Sequence, residues 1–285
     1  MIKEWIEEYN PKTQEEVFAA LREVMQEVTL AGLQRAGFFE RAAFYGGTAL
    51  RIFYGLDRYS EDLDFSLLEV NPNFSLEVYF DAIILEFEAL GMKVTISEKN
   101  KAHNSNIDSA FLKSSTAWKE LTLDGIIPQS GIKIQPSIKI KIEVDRQPPL
   151  GFETEEKLLL RPFSFYVKCF TLPSLFAGKM HALLFRKWLK RVKGRDWYDL
   201  EWYIKKGVSL DLNHFLLRAK DSGDWVDDSI SKEHITNLLI AKIENVNFDR
   251  IREDIVRFIP NDSGLEIWSS KYFLDLIEKL RFKEI

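Results

Sequence analysis

Apolar residues along the chain keep two different rhythms, and the change falls near residue 170. Val17, Leu21, Met25, Val28 and Leu33 recur at roughly helical intervals up to Gly37, which predicts a first helix with one buried face. Thr13 and Glu16 stand three apart in front of it, the pattern of a capping box. "RAAFYGG" predicts a short strand ending in a tight turn, and "TALRIFYG" a two-turn helix that Gly55 can end. From Asp62 the rhythm is two. Leu63, Phe65 and Leu67 alternate with Asp62, Asp64 and Ser66, so a half-buried strand places both aspartates on one face.

A helix from about Ser75 to Leu90, stopped by Gly91, leads into strand candidates at "MKVTIS" and "SAFLKSS". Glycines and Pro128 mark loop from Leu123 to Gln135. "SIKIKIEVDR" is the clearest alternation, with Ile138, Ile140, Ile142 and Val144 on one face and Lys139, Lys141, Glu143 and Asp145 on the other. "KLLLRPFSFYVKCF" adds a strand whose first half Pro162 disfavours. Beyond Pro173 the period becomes helical, at about 174–193, 196–206, 211–220, 231–244, 248–257 and 267–281. The pattern predicts an α+β protein: a mixed sheet with flanking helices over residues 1–170, then an all-helical C-terminal domain over 171–285.

Composition narrows the class. At 285 residues, 46% hydrophobic and 29% charged, the chain can bury proper cores and is neither disordered nor fibrous. No apolar run is long enough to span a bilayer, and "MIKEWIEEYN" lacks the basic and apolar regions of a signal peptide. A cytoplasmic protein is expected. The single cysteine, Cys169, allows no intrachain disulfide and reads as a packing residue. A net charge of -5 argues against coating nucleic acid by bulk charge. Between Lys179 and Lys206, however, nine Lys or Arg face three acids, which suggests a defined anionic ligand.

Two carboxylates two apart on a strand project side by side, as hard oxygen donors for Mg²⁺ or Mn²⁺ must. Gly46, Gly47 and Thr48 at a strand-to-helix turn would let backbone N–H groups, a helix N-terminus and a hydroxyl approach a phosphate. Alone, the first pattern is also that of a solvated strand face, and the second that of a turn with an N-cap threonine. A third carboxylate on a neighbouring strand would complete a two-metal site; Glu143 is the candidate, with Asp145 beside it on the same face. Lys179 lies on an otherwise apolar helix and could neutralise a triphosphate. Arg186, Lys190 and Lys193 fall on one helical stripe and Lys187 and Arg191 on another, with Trp188 and Trp197 nearby. Such stripes can follow an RNA backbone while aromatics stack on bases, or can simply suit the dipole at a helix end. His181 has no metal-spaced partner and reads as a packed helix residue.

Taken in order, "GGTALR", "RYSEDLDF", "KIKIEVD" and "KMHALLFRKWLKRVKGRDWYDL" resemble the AbiEii/AbiGii toxin family of nucleotidyltransferases, a branch of the DNA polymerase beta-like superfamily, over roughly residues 41 to 205. The resemblance implies a nucleotidyltransferase fold joined to a helical domain, and a toxin of a toxin–antitoxin pair linked to abortive phage infection. By position it places Gly46, Gly47 and Thr48 at the triphosphate, with Arg58 and Ser60 shaping the loop or touching phosphate. Asp62 and Asp64 fall at the metals, Glu143 or Asp145 at the second acidic motif, and Lys179, Arg195, Asp196 and Asp199 at the third. Catalytic roles fall to Asp62, Asp64, Glu143, Lys179 and Asp196. Nucleotide contacts fall to Lys179, Arg195 and Asp199 with the glycine turn, and RNA contacts to Arg186, Lys187, Lys190, Arg191 and Lys193.

The function expected is Mg²⁺-dependent transfer of a nucleoside monophosphate from an NTP to RNA, at a tRNA 3′ end, under control of a cognate antitoxin and without a membrane. Transfer to a protein hydroxyl, and a non-catalytic nucleotide-binding module that regulates a partner, are the alternatives. Residues 207–285 carry no motif of the family.

Overall fold

The structure, a computed structural model, describes residues 1–98, 117–123, 138–186, 193–260 and 262–283. The strand candidate at "SAFLKSS" and the loop beyond Leu123 lie outside the described residues. The chain forms two compact units. One comprises Met1–Ala49, Glu61–Pro148 and Glu155–Cys169, the other Leu50–Ser60, Pro149–Thr154 and Phe170–Ile285.

The first unit opens with α1 (Ile2–Glu8) and α2 (Gln14–Arg35). The Thr13 hydroxyl accepts from the Glu16 N–H and the Glu16 carboxylate accepts from the Thr13 N–H, so the capping box fixes where α2 starts. Then come β1 (Ala42–Tyr45), α3 (Gly46–Tyr54), β2 (Asp62–Leu67), α4 (Phe80–Ala89), β3 (Val94–Glu98), β4 (Ala117–Leu123), β5 (Ile138–Asp145), β6 (Thr154–Leu159) and β7 (Phe165–Phe170). One strand was expected across the β6–β7 stretch. Two form, with Pro162 in the link, because proline has no N–H to donate to a ladder.

The sheet order is β3-β4-β5-β2-β1-β7-β6. It is mixed: β2 runs antiparallel to β1 and parallel to β5, while β1 and β7 are parallel. The alternation read in β5 holds, since Ile138, Ile140, Ile142 and Val144 are all buried. Leu63 and Phe65 of β2 and Val24, Met25 and Val28 of α2 share that core, with Phe38 edge-on to Phe65 at 4.9 Å. Each such side chain contributes about 1.5–3 kcal/mol by leaving water. Gly32 lets α2 cross α4 closely, because a Cβ there would lie 2.5 Å from the Ile83 Cα. Cys169 is fully buried, and burial pushes its thiol well up, so it stays a neutral packing group.

The second unit holds α5 (Leu172–Phe185), α6 (Gly194–Lys205), α7 (Leu212–Asp221), α8 (Lys232–Glu244), α9 (Phe248–Ile255) and α10 (Ser270–Ile277). Side chains of Asp211, Ser231, Asn247 and Ser269 cap the last four of these, which explains their sharp starts. Trp197, Phe248 and Phe273 meet with ring centroids 5.0–5.3 Å apart. A short parallel pair, β8 (Ser209–Leu210) with β9 (Arg281–Phe282), interrupts the helical pattern; two-residue strands are too short to show a period. The helix expected over 174–193 ends earlier, at Phe185, with Arg186 extended.

Candidate active site

In the first unit the turn from β1 into α3 is made by Gly46 at φ +85°, a left-handed conformation that other residues rarely adopt. A Cβ on Gly46 would fall on the Asp64 carboxylate. Glycine is therefore required twice, by its own backbone and by its neighbour. Thr48, fully buried, donates its hydroxyl to the main-chain carbonyl of Asp62. That single proton is engaged there, and the bond fixes the first turn of α3, where the phosphate contact was expected, against the start of β2.

Strand pairing decides which acids meet. Tyr45 of β1 lies opposite Asp64 in the antiparallel pair. In the parallel pair Asp62 faces Lys141, Asp64 faces Glu143 and Ser66 faces Asp145. Adjacent strands are about 4.8 Å apart, which makes Glu143 the carboxylate beside Asp64 and leaves Asp145 one step further along. The Asp145 carboxylate accepts from the Gln147 N–H at 3.1 Å in the turn that follows. Glu143 is ion-paired at 2.5 Å with Lys141.

As hard oxygen donors on one half-exposed strand face, with glycine leaving room beside one of them, Asp62 and Asp64 fit a divalent cation. Among the described residues no three His, Cys, Asp or Glu side chains are already gathered as a metal-holding group. Glu143 would have to turn from Lys141 to join the pair.

Within the first unit the Gln26 amide donates to the Glu61 carbonyl at 3.1 Å, and Arg22 lies 3.5 Å from the Glu61 carboxylate.

The second unit contains the other charged residues of the sequence pattern. Arg58 grips Asp199 with two parallel bonds, Nε to Oδ1 at 2.6 Å and Nη2 to Oδ2 at 2.7 Å. Its third nitrogen, Nη1, donates to the Tyr59 carbonyl at 3.0 Å. Lys179 Nζ lies 2.7 Å from Asp199 Oδ2. Arg58 is 1% exposed and Asp199 0%. Burial by itself would raise the Asp199 carboxyl, but Arg58 and then Lys179 outweigh it and hold the group down at about 2. Arg58 and Asp199, expected as nucleotide ligands, are thus turned into the unit and bonded to each other. Lys179 keeps part of its side chain in solvent.

Asp196, nearly buried, sits in the first turn of α6, where its charge suits the helix dipole. The Asp254 carboxylate accepts the Gly194 N–H at 2.9 Å, completing that N-terminus. Arg195 lies over the Phe258 ring at 4.2 Å. Lys193 is extended rather than helical, so it shares no helical stripe with Arg186. Burial brings Lys193 down to about 8; Asp196 pulls against that, while Arg186, Arg195 and Lys179 reinforce it. These cations therefore crowd one locality of the unit. Lys187, Trp188, Lys190 and Arg191 lie outside the described residues. Ser60 is half-buried, between Tyr59 and Glu61.

Sequence reasoning missed Lys141 as the partner of Glu143, although both stand on the polar row of the same alternation. It also missed Tyr198, whose hydroxyl donates to Asp57 Oδ1 at 2.6 Å; nothing local marks that pair.

A mixed sheet with an Asp-x-Asp strand beside a glycine turn, together with a helical unit, defines a nucleotidyltransferase fold. The solved structure of MenT4, a nucleotidyltransferase toxin from Mycobacterium tuberculosis H37Rv, has this fold: TM-score 0.52, 18% identity, covering 98% of this chain and 99% of that one. JHP933 from Helicobacter pylori is more distant, at TM-score 0.46 and 17% identity over 92% of this chain and 86% of that one. The family model for the nucleotidyl transferase AbiEii toxin, of type IV toxin–antitoxin systems, matches residues 28–276, and the chain belongs to that family. No curated protein matches it.

Proposed function

We propose that the protein transfers a nucleoside monophosphate from an NTP to an RNA hydroxyl, at a tRNA 3′ end, and that a cognate antitoxin restrains it. The observation that carries this reading is the register of β2, which sets Asp64 beside both Gly46 and Glu143. The N–H groups of the first turn of α3 would receive the phosphates, helped by the helix dipole. Asp62 and Asp64 would hold Mg²⁺ or Mn²⁺, with Glu143 as the third carboxylate. The cation would neutralise the triphosphate and lower the pKa of the attacking hydroxyl. The RNA oxygen bonds to the α-phosphorus, the bond from that phosphorus to the bridging oxygen breaks, pyrophosphate leaves, and the hydroxyl proton passes to solvent. The crowded cations around Lys193, including Arg186, Arg195 and Lys179, favour a polyanionic acceptor over a protein hydroxyl.

The test incubates purified protein with Mg²⁺, total cellular RNA and each of four labelled NTPs. Label is expected in RNA, falling on the order of 10²–10³-fold in Asp62→Ala and in Asp64→Ala. No labelled RNA from any nucleotide, or equal labelling by either variant, would remove the proposal. Label that migrates with protein would replace the acceptor.

A further inference from the structure

The segment that leads into Asp62 is tied down at almost every residue. In the second unit, Tyr54 donates its hydroxyl to the Phe170 carbonyl at 2.6 Å, and the Tyr54 carbonyl accepts from Lys206 Nζ at 2.7 Å. Arg51 donates to the Asp57 carbonyl at 2.9 Å, while Tyr198 holds the Asp57 carboxylate. The Tyr59 N–H donates to the Phe258 carbonyl at 2.8 Å. At the centre stands Arg58, bidentate on Asp199, with Lys179 on the same carboxylate. Arg58 is four residues before Asp62, and Asp199 is 141 residues after Arg58.

A fully buried guanidinium is tolerated only with its counter-charge in place, and removing one partner leaves the other uncompensated. The fork geometry also fixes direction, which a single ammonium would not. We propose that Arg58 and Asp199 are positioning residues: together they clamp the strap 54–59 and so restrain the backbone that continues into Asp62. Neither touches the nucleotide. Lys179 completes the charge on Asp199 and sets the clamp's strength. The catalytic part of this inference rests on the function proposed above; the mechanical part does not.

The experiment compares amide hydrogen exchange in wild type, Asp199→Asn, Arg58→Lys and Tyr198→Phe, all checked for folding by circular dichroism. Arg58→Lys and Tyr198→Phe are the milder changes, in case Asp199→Asn fails to fold. Exchange over residues 56–62 is expected to rise about tenfold or more in the Arg58 and Asp199 variants, and less in Tyr198→Phe, with β5 and α8 unchanged. Unchanged exchange over 56–62 in folded Arg58→Lys overturns the clamp, whether or not the protein transfers nucleotides. Where wild type is active, the variants should lose kcat with KM for NTP within about threefold. Arg58→Gln with Asp199→Asn should be no worse than either alone, because the two act as a unit. A tenfold rise in KM at unchanged kcat would instead make Arg58 a phosphate ligand and overturn the assignment.

Discussion

Gly46 shows how much one missing methyl can decide. Its φ of +85° and the carboxylate of Asp64 each exclude a side chain. Gly91 has a similar φ of +74° but nothing within 4 Å of a Cβ. Gly91→Ala should therefore cost only the left-handed strain of about 1–2 kcal/mol and leave transfer intact. Gly46→Ala should cost at least that and also push Asp64 aside, lowering transfer by on the order of 10²-fold. Urea midpoints and initial rates of the two variants distinguish these outcomes. At this scale the sequence was informative where chemistry is local. Alternation put Asp62 and Asp64 on one face, and a glycine pair marked the turn. Alternation could not choose between Glu143 and Asp145, because that depends on which residue of β2 lies opposite. Arg58 read as shaping the loop or touching phosphate, and Asp199 as a nucleotide contact, because charge is visible in a sequence; their burial against each other, 141 residues apart, is not.

Helix contacts in the second unit turn on two glycines of different kind. At Gly194 a Cβ would lie 2.5 Å from the Ile251 carbonyl and 2.9 Å from the Ile255 Cβ, so α6 begins in direct backbone contact with α9. Gly194→Ala is expected to destabilise by about 1–3 kcal/mol through overpacking. Gly178, inside α5, has its nearest neighbour at 3.8 Å, and Gly178→Ala should be neutral or stabilising by up to about 1 kcal/mol from helix propensity. The α5–α7 contact also carries a pH dependence. His181, 3.0 Å from Ser222 Oγ and 3.3 Å from Asp224, is brought down to about 4 by burial, then by Arg218, with Asp224 opposing and Arg186 adding. His214 falls to about 3 through burial, Arg218 and His181. Both values lie below the unfolded 6.5, so the unfolded chain binds protons first. Their stabilisation is whole above about pH 6.5 and is lost as pH falls towards 4 and 3. Glu27, pushed up to about 7 by burial despite Arg161, has the opposite sign: its contribution is present below about pH 4.5 and lost as pH rises through 7. Thermal midpoints between pH 4 and 7 should show a flatter acid limb in His214→Phe and a flatter neutral limb in Glu27→Gln. The long apolar patterns made these helices legible in the sequence; which glycines lie at crossings, and which histidines stay neutral, follows from neighbours that no periodicity names.

For the molecule as a whole, membership of a toxin family and an Asp-x-Asp strand lead to one cellular expectation. Expression without antitoxin should arrest growth, Asp64→Ala should relieve the arrest, and colony counts decide it. No described helix is long and apolar enough to cross a membrane. Most of the fold could be read from the change of rhythm near residue 170 and the alternation in β2 and β5; the order of strands could not, since pairing is set by contacts distant in sequence. The Lys141–Glu143 pair has a consequence for how this protein is made and stored. A row of carboxylates on one sheet face repels itself, and many proteins that carry such a row cannot fold until an ion arrives. Here the Lys141 ammonium, on the same strand as Glu143 and opposite Asp62 in the register, already pairs with one of these carboxylates. The toxin should mature in full before it meets any divalent ion, with its melting temperature unmoved by a chelator. In Lys141→Met the same chelator should lower the melting temperature and added Mg²⁺ restore it, making folding wait on an ion that wild type does not need in order to fold.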